Sequence, residues 1–236
     1  MSLENPTCAN TRNVVRHAIG NSLNMDKYLV KLIDRMNYKA DQIMEAGFDS
    51  SKTVSWKALR EAETITNPDF IPQLIAFIEN EKDKDKRDKA YFILGHIAKN
   101  IDDKTTGQFL INRIEKETDK YVISSMLGIL AKVIKPKGTD LTPLIAATKD
   151  ERWLVSQKAI QAFAKSEDEI AEATLINFLD TSEDPHELIY SNATLNKIGT
   201  PKAIPHLEKH LKSRKRDVKL SAQFAIDEIK KRHNIA

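Results

Sequence analysis

Six histidines, at positions 17, 96, 186, 206, 210 and 233, are the residues most able to support chemistry in this chain. His206 and His210 stand one helical turn apart, a spacing at which two imidazoles can share a metal ion. The residues between them are Leu-Glu-Lys, so the His-Glu-x-x-His pattern of metalloproteases is missing, and no third ligand stands nearby. The pair reads as a solvated helix flank. Pro185-His186-Glu187 reads as a helix start, where an acidic residue complements the helix dipole. Cys8 is the single cysteine and lies in a polar leader without a neighbouring His, which excludes an internal disulfide and a cysteine-based zinc site. Glycine-rich phosphate loops, Gly-x-Ser-x-Gly elbows and kinase motifs are absent. The expectation is a protein without catalytic, metal or cofactor site.

The elements that would position any site come from composition first. Among 236 residues, 41% are hydrophobic and 30% charged, with a net charge of +3, enough apolar material for a continuous core. Gly 7 and Pro 8 amount to about half the usual share, too few for the frequent turns of an all-β chain. No apolar run approaches the ~18 residues of a membrane span. The opening MSLENPTCANTRN lacks the charged and apolar regions of a signal peptide, so a cytoplasmic location is expected.

Repeats organise the rest. Val218, Ala222, Ala225, Ile226 and Ile229 form one buried helical face. Taking Ala222 as an anchor, the same frame recurs upstream at Ser191, Ala159, Met126, Ala90 and Ala58. In chain order the spacings are 32, 36, 33, 32 and 31 residues. A first helix precedes several anchors, opened by Pro72, Pro143 or Pro205, each 16–18 residues before its anchor. Proline is tolerated in that first turn because its missing N–H has no helical partner to lose. A period of this length holds two helices of ~12–14 residues and two short turns. Leu94 and Leu130, four residues after their anchors, should be buried where the second and third repeats meet.

Asp217-Val218-Lys219 before Ala222, and Ala90-Tyr91-Phe92-Ile93-Leu94-Gly95-His96-Ile97, resemble HEAT-like repeats of the short kind related to those of phycobilin lyases. The resemblance spans about residues 51–233. It implies an all-α, right-handed α-α superhelix of about six helix pairs. Residues 1–50 fit less well: Thr11–Leu23 reads as a capping helix, and Asp26–Ala46 as a longer helix with Gly47 as its C-cap. The expected division is a cap over 1–50 and an array over 51–236, continuous as one domain.

Three activities known among HEAT-like proteins can be weighed here. Deoxyhypusine hydroxylases hold two irons through repeated His-Glu pairs, and His186-Glu187 is the single such pair. The family that removes alkylated bases from DNA needs a catalytic Asp beside an aromatic cleft, one repeat before an aromatic-then-basic helix start. Asp150-Glu151-Arg152-Trp153 faintly resembles that start, but the earlier position reads Tyr121-Val122-Ile123-Ser124-Ser125, without a carboxylate. A tetrapyrrole lyase or chaperone rests on family analogy alone.

Charge is unevenly placed. Ser166–Asn196 carries eight acids and no Lys or Arg, whereas 201–236 carries ten bases and four acids. The run Glu81–Lys89 alternates in sign and reads as a charged turn. Positions −2, +2 and +5 from each anchor lie opposite the buried face, at about 100° per residue. Among them are Trp56, Arg60, Phe92, Gly95, Ser124, Gln157, Gln161, Ala164, Leu220 and Phe224. Small, neutral and partly apolar, this face suits a peptide or helix better than a phosphate backbone.

The reading is a non-catalytic scaffold, without cofactor or metal, that binds another protein or peptide through its concave helix face, with a monomer expected. Trp56, Arg60, Phe92, Gln157 and Gln161 are the candidate contacts. The alternative is nucleic-acid binding, extending to DNA-lesion processing, through Arg214, Lys215, Arg216 and Lys219 in the basic C-terminal repeat.

Overall fold

The computed structural model describes residues 25–39 and 49–235. Among them twelve α-helices account for the architecture, with one isolated parallel bridge between Lys135 and Ser166. In chain order they are α1 Lys27–Met36, α2 Val54–Ala62, α3 Phe70–Asn80, α4 Lys84–Asn100, α5 Thr106–Arg113 and α6 Lys120–Leu130. They continue as α7 Thr142–Ala147, α8 Trp153–Ala162, α9 Glu169–Thr181, α10 Pro185–Ile198, α11 Ile204–His210 and α12 Arg216–Arg232. Successive helices pack in twos, α1 on α2 through α11 on α12. The second members, α4, α6, α8, α10 and α12, lie side by side in chain order, with α2 touching α4 at the near end.

The core runs along these second helices. All six anchors, Ala58, Ala90, Met126, Ala159, Ser191 and Ala222, are fully buried, as are Leu94 and Leu130. The expected capping helix over 11–23, and Gly47, lie outside the described residues. The helix expected over Asp26–Ala46 ends instead at Met36, where the Asn37 N–H turns back onto the Ile33 and Arg35 carbonyls. The last of these expected residues, 40–46, lie outside the described residues. The charged run is also shorter as a turn than expected. Asp83 accepts from the Asp85 N–H, so α4 begins at Lys84 and takes in most of the run. The same acidic capping opens α1, α6, α9 and α10 at Asp26, Asp119, Asp168 and Asp184. Helix α12 instead has Lys215 at its N-cap, with no side-chain bond to the first turn.

Buried polar groups tie the turns together. Glu117 accepts a two-pronged bond from Arg87, Nε to Oε1 and Nη2 to Oε2, each 2.8 Å, and a third from the Tyr91 hydroxyl at 2.8 Å. Arg113 donates to the same Tyr91 oxygen at 3.0 Å. Burial raises the Glu117 carboxyl, but the bonds from Arg87 and Tyr91 and the two guanidinium charges outweigh it and hold it below its usual value. The turn between α3 and α4 is thereby fixed to the one between α5 and α6.

Lys135 is the opposite case. Its side chain is fully buried with no carboxylate, and Nζ donates to the Leu130 and Val133 carbonyls at 2.8 Å each. Its backbone clasps the next turn, N–H to the Lys165 carbonyl at 3.0 Å and carbonyl from the Glu167 N–H at 2.8 Å. Burial, reinforced by the Lys165 charge, pushes its ammonium down to about 7.

Two measurements follow. Leu94→Ala should cost about 2–5 kcal/mol in chemical denaturation, while Lys82→Ala, on the exposed turn, should stay within about 0.5 kcal/mol. Equal mildness would contradict the repeat register. For Lys135 the folded-state value lies below the unfolded one, so between the two the unfolded chain binds more protons and stability rises with pH. The rise should run from about pH 7 toward the ordinary lysine value of 10.5. Lys135→Met should flatten this rise, and an unchanged profile would contradict the assignment.

Candidate functional site

The second-helix face is only partly open. Trp56 on α2 is 39% exposed, with the Arg60 guanidinium 5.6 Å from its ring centroid and Arg60 paired to Glu63 at 2.7 Å. Phe92 on α4 is half-buried against the His96 ring, with centroids 4.4 Å apart. Gln157 and Gln161 on α8 are half-buried, and Gln161 accepts from Lys158 at 3.2 Å. Three positions expected on the open face are buried instead: Gly95, Ser124 and Ala164. At Gly95 the cause is visible, since a Cβ there would lie 1.7 Å from the Ile129 methyl on α6. Neighbouring helices cover the flanks that an isolated helix would expose.

Sequence reasoning missed the two most exposed large apolar side chains among the described residues. Tyr121 and Trp153 are 66% and 67% exposed, at the starts of α6 and α8. Together with Lys120, Arg152 and Leu154 they line one shallow cleft of about 150 Å³. Lys120 Nζ stands 5.1 Å from the Tyr121 ring centroid. Arg152 is held from behind, by Asp150 at 2.8 and 2.6 Å and by the Thr118 carbonyl at 2.9 Å. Its aliphatic stem and the two rings are what the cleft offers a ligand. The signal was present as a basic–aromatic dipeptide, Lys120-Tyr121 and Arg152-Trp153, repeated 32 residues apart.

The acidic and basic repeats partly neutralise each other. Asp180 on α9 accepts from His206 Nδ1 at 2.8 Å and from Lys209 at 2.7 Å, bonds that hold its carboxyl below the usual range. Lys202 stands 3.7 Å from Glu169, and the His210 ring N–H donates to the Leu179 carbonyl at 2.9 Å. His206 and His210 therefore bind α9 through separate groups. Glu187 accepts from the Ser182 hydroxyl at 2.6 Å, and His186 is exposed in the first turn of α10. Among the described residues, no group of three or more His, Cys, Asp or Glu is placed to hold a metal. Arg214, Lys215, Arg216 and Lys219 are exposed and make no ion pair among the described residues. None of the described helices is long and apolar enough to cross a membrane.

Residues 141–227 match the family model for HEAT repeats. Among solved structures, the chain is similar to an engineered protein, with a TM-score of 0.51 and 18% identity over 87% of this chain and 97% of that one. A designed armadillo repeat protein gives 0.49 and 16%, over 85% and 99%. No curated protein matches. The described residues form an all-helical array of repeated helix pairs. Its residues 141–227 are HEAT repeats.

His96 tests how tightly the face is closed. It is 3% exposed, and neither ring nitrogen has a partner at hydrogen-bond distance. Burial, then the charges of Lys132, Lys99 and Arg60, push it down to about 4, against a weak opposing pull from the Glu63 backbone. Between about 4 and the ordinary 6.5 the unfolded chain binds the extra proton, so stability falls as pH drops through that window. His96→Leu should add about 1 kcal/mol by removing unsatisfied polar atoms and should flatten this acid limb. An acid limb identical to wild type would contradict the buried, neutral imidazole.

Proposed function

We propose that the protein is a non-catalytic scaffold that binds another protein through its second-helix face. The observation that carries this reading is the cleft where Tyr121 and Trp153 stand two-thirds exposed. Large apolar rings are costly to leave in water, and aromatic side chains are favoured anchors at protein interfaces. Trp56, stacked by Arg60, adds an anchor nearer the start of the array, and Phe92, Gln157 and Gln161 supply half-buried surface between. HEAT and armadillo folds generally serve as interaction scaffolds, and side-by-side helices supply a long, rigid surface at low sequence cost. The same reading takes residues 1–50 as a cap continuous with the array. It takes the molecule as a cytoplasmic monomer that needs no cofactor.

Peptides selected from a phage-displayed library on the intact protein supply the test, with affinity read by fluorescence polarisation. Tyr121→Ala with Trp153→Ala should weaken the selected peptides at least about tenfold, the scale of interface hot spots, with no change in melting temperature. Selection of no peptide, or peptides indifferent to both substitutions, would overturn the proposal.

A further inference from the structure

Once the internal ion pairs are made, the largest group of cations without an ion pair in the last repeat stands at one place. Lys202, His206 and Lys209 are engaged by α9. Arg232 is engaged by the Asn196 and Gly199 carbonyls, at 2.9 and 2.6 Å. Lys212, Arg214, Lys215, Arg216 and Lys219 remain, all exposed and without an ion pair among the described residues, with Asp217 the one acid among them. They occupy the turn before α12 and its first turn. On the same helix, Leu220 is 42% and Phe224 65% exposed. Arg216, Leu220 and Phe224 follow at four-residue intervals along one face of α12, about 12 Å from first to last, with Lys219 on the flank beside Arg216. A solvated turn needs no exposed phenyl ring beside it.

We propose that this face of α12 and the turn before it bind single-stranded nucleic acid, independently of the protein-binding cleft. The cations track the phosphates, and Phe224 supplies a stacking surface for a base. Cationic side chains interleaved with an exposed aromatic are the usual means of holding single strands without reading sequence. A lipid surface fits less well, because the apolar stripe Val218, Ala222, Ala225, Ile226 and Ile229 is already buried within the array. Only Leu220 and Phe224 would be free to insert. Duplex DNA offers the same phosphates but keeps its bases stacked away from Phe224.

The test uses the whole protein with fluorescein-labelled oligouridylate and oligothymidylate of about 20 nucleotides, a duplex of equal length, polyglutamate, and anionic phosphatidylserine vesicles. Both single strands should bind at low salt. Log affinity should fall against log salt by about 0.7 per phosphate contact, giving a slope between about −2 and −3.5 for three to five contacts. Arg214→Ser with Arg216→Ser should shallow that slope. Phe224→Ala should weaken binding about five- to a hundredfold, the range for one stacked base, and leave the slope unchanged. Lys215→Asp should raise the melting temperature by capping α12 while weakening binding, which separates loss of binding from loss of fold. The proposal is overturned by no binding at low salt, by duplex, polyglutamate or vesicles bound as tightly as single strands, or by indifference to Phe224→Ala.

Discussion

The array depends on how closely each second helix can lie against the next. Five of the six anchors are Ala or Ser, and all six are fully buried. A small side chain at the contact lets the backbones approach, so the apolar residues on either side interlock. Met126 is the large exception. Gly95 shows how narrow the margin is: Ile129 of α6 occupies the space a Cβ would need. Gly199 repeats the device after α10, where a Cβ would meet the Leu195 carbonyl at 2.6 Å and Ile229 of α12 at 2.8 Å. Substituting either glycine would push two neighbours apart, and every later unit would move with them.

Close packing leaves the last carbonyls of each second helix in a crowded place, where water has little access and a partner must be found. Here the following repeat supplies it. Asn100, at the end of α4, donates to the Glu63 and Ile65 carbonyls beyond α2, at 2.9 Å each. Arg232, at the end of α12, does the same for Asn196 in the last turn of α10 and Gly199 just beyond it. Both stand ten residues after their anchors, Ala90 and Ala222, so two of the repeats place the same cap at the same position of the frame. At the end of α6 the donor is local: Lys135 folds back onto Leu130 and Val133. A cation there also suits the negative end of the helix dipole. This gives the buried lysine a structural reason, since its ammonium replaces the longer reach made elsewhere by the next helix.

The anchors, Leu94, Leu130 and the proline-opened first helices were legible in the sequence because apolar periodicity records burial directly. The open face was less so. Angular position on one helix predicts which side points away from its own core, but exposure also depends on what the neighbouring helices cover. Gly95, Ser124 and Ala164 lie on the right side and are covered. Tyr121 and Trp153 lie nearer the flank and are open, because they sit at helix starts where the packing has not yet closed. Lys135 was illegible for a different reason. A single lysine in a turn reads as solvated, and it is the approach of the 163–167 turn and of Gly107 on α5 that takes it out of water.

Charge shows the same dependence on neighbours. The acid-rich stretch 166–196 and the base-rich stretch 201–236 read as a bipolar surface offered to a partner. Much of that polarity is spent inside, where α11 lies against α9 and Asp180 gathers His206 and Lys209. Within an array, each repeat can use the next to balance its charges. The cations at the start of α12 are the exception: exposed and close together, they make no ion pair among the described residues. Acidic caps such as Asp83, Asp119 and Asp184 would have eased that repulsion, and Lys215 adds to it. A local electrostatic cost of this kind is relieved when an anion arrives, so the binding free energy of a phosphate backbone would include relief that a capped helix could not provide.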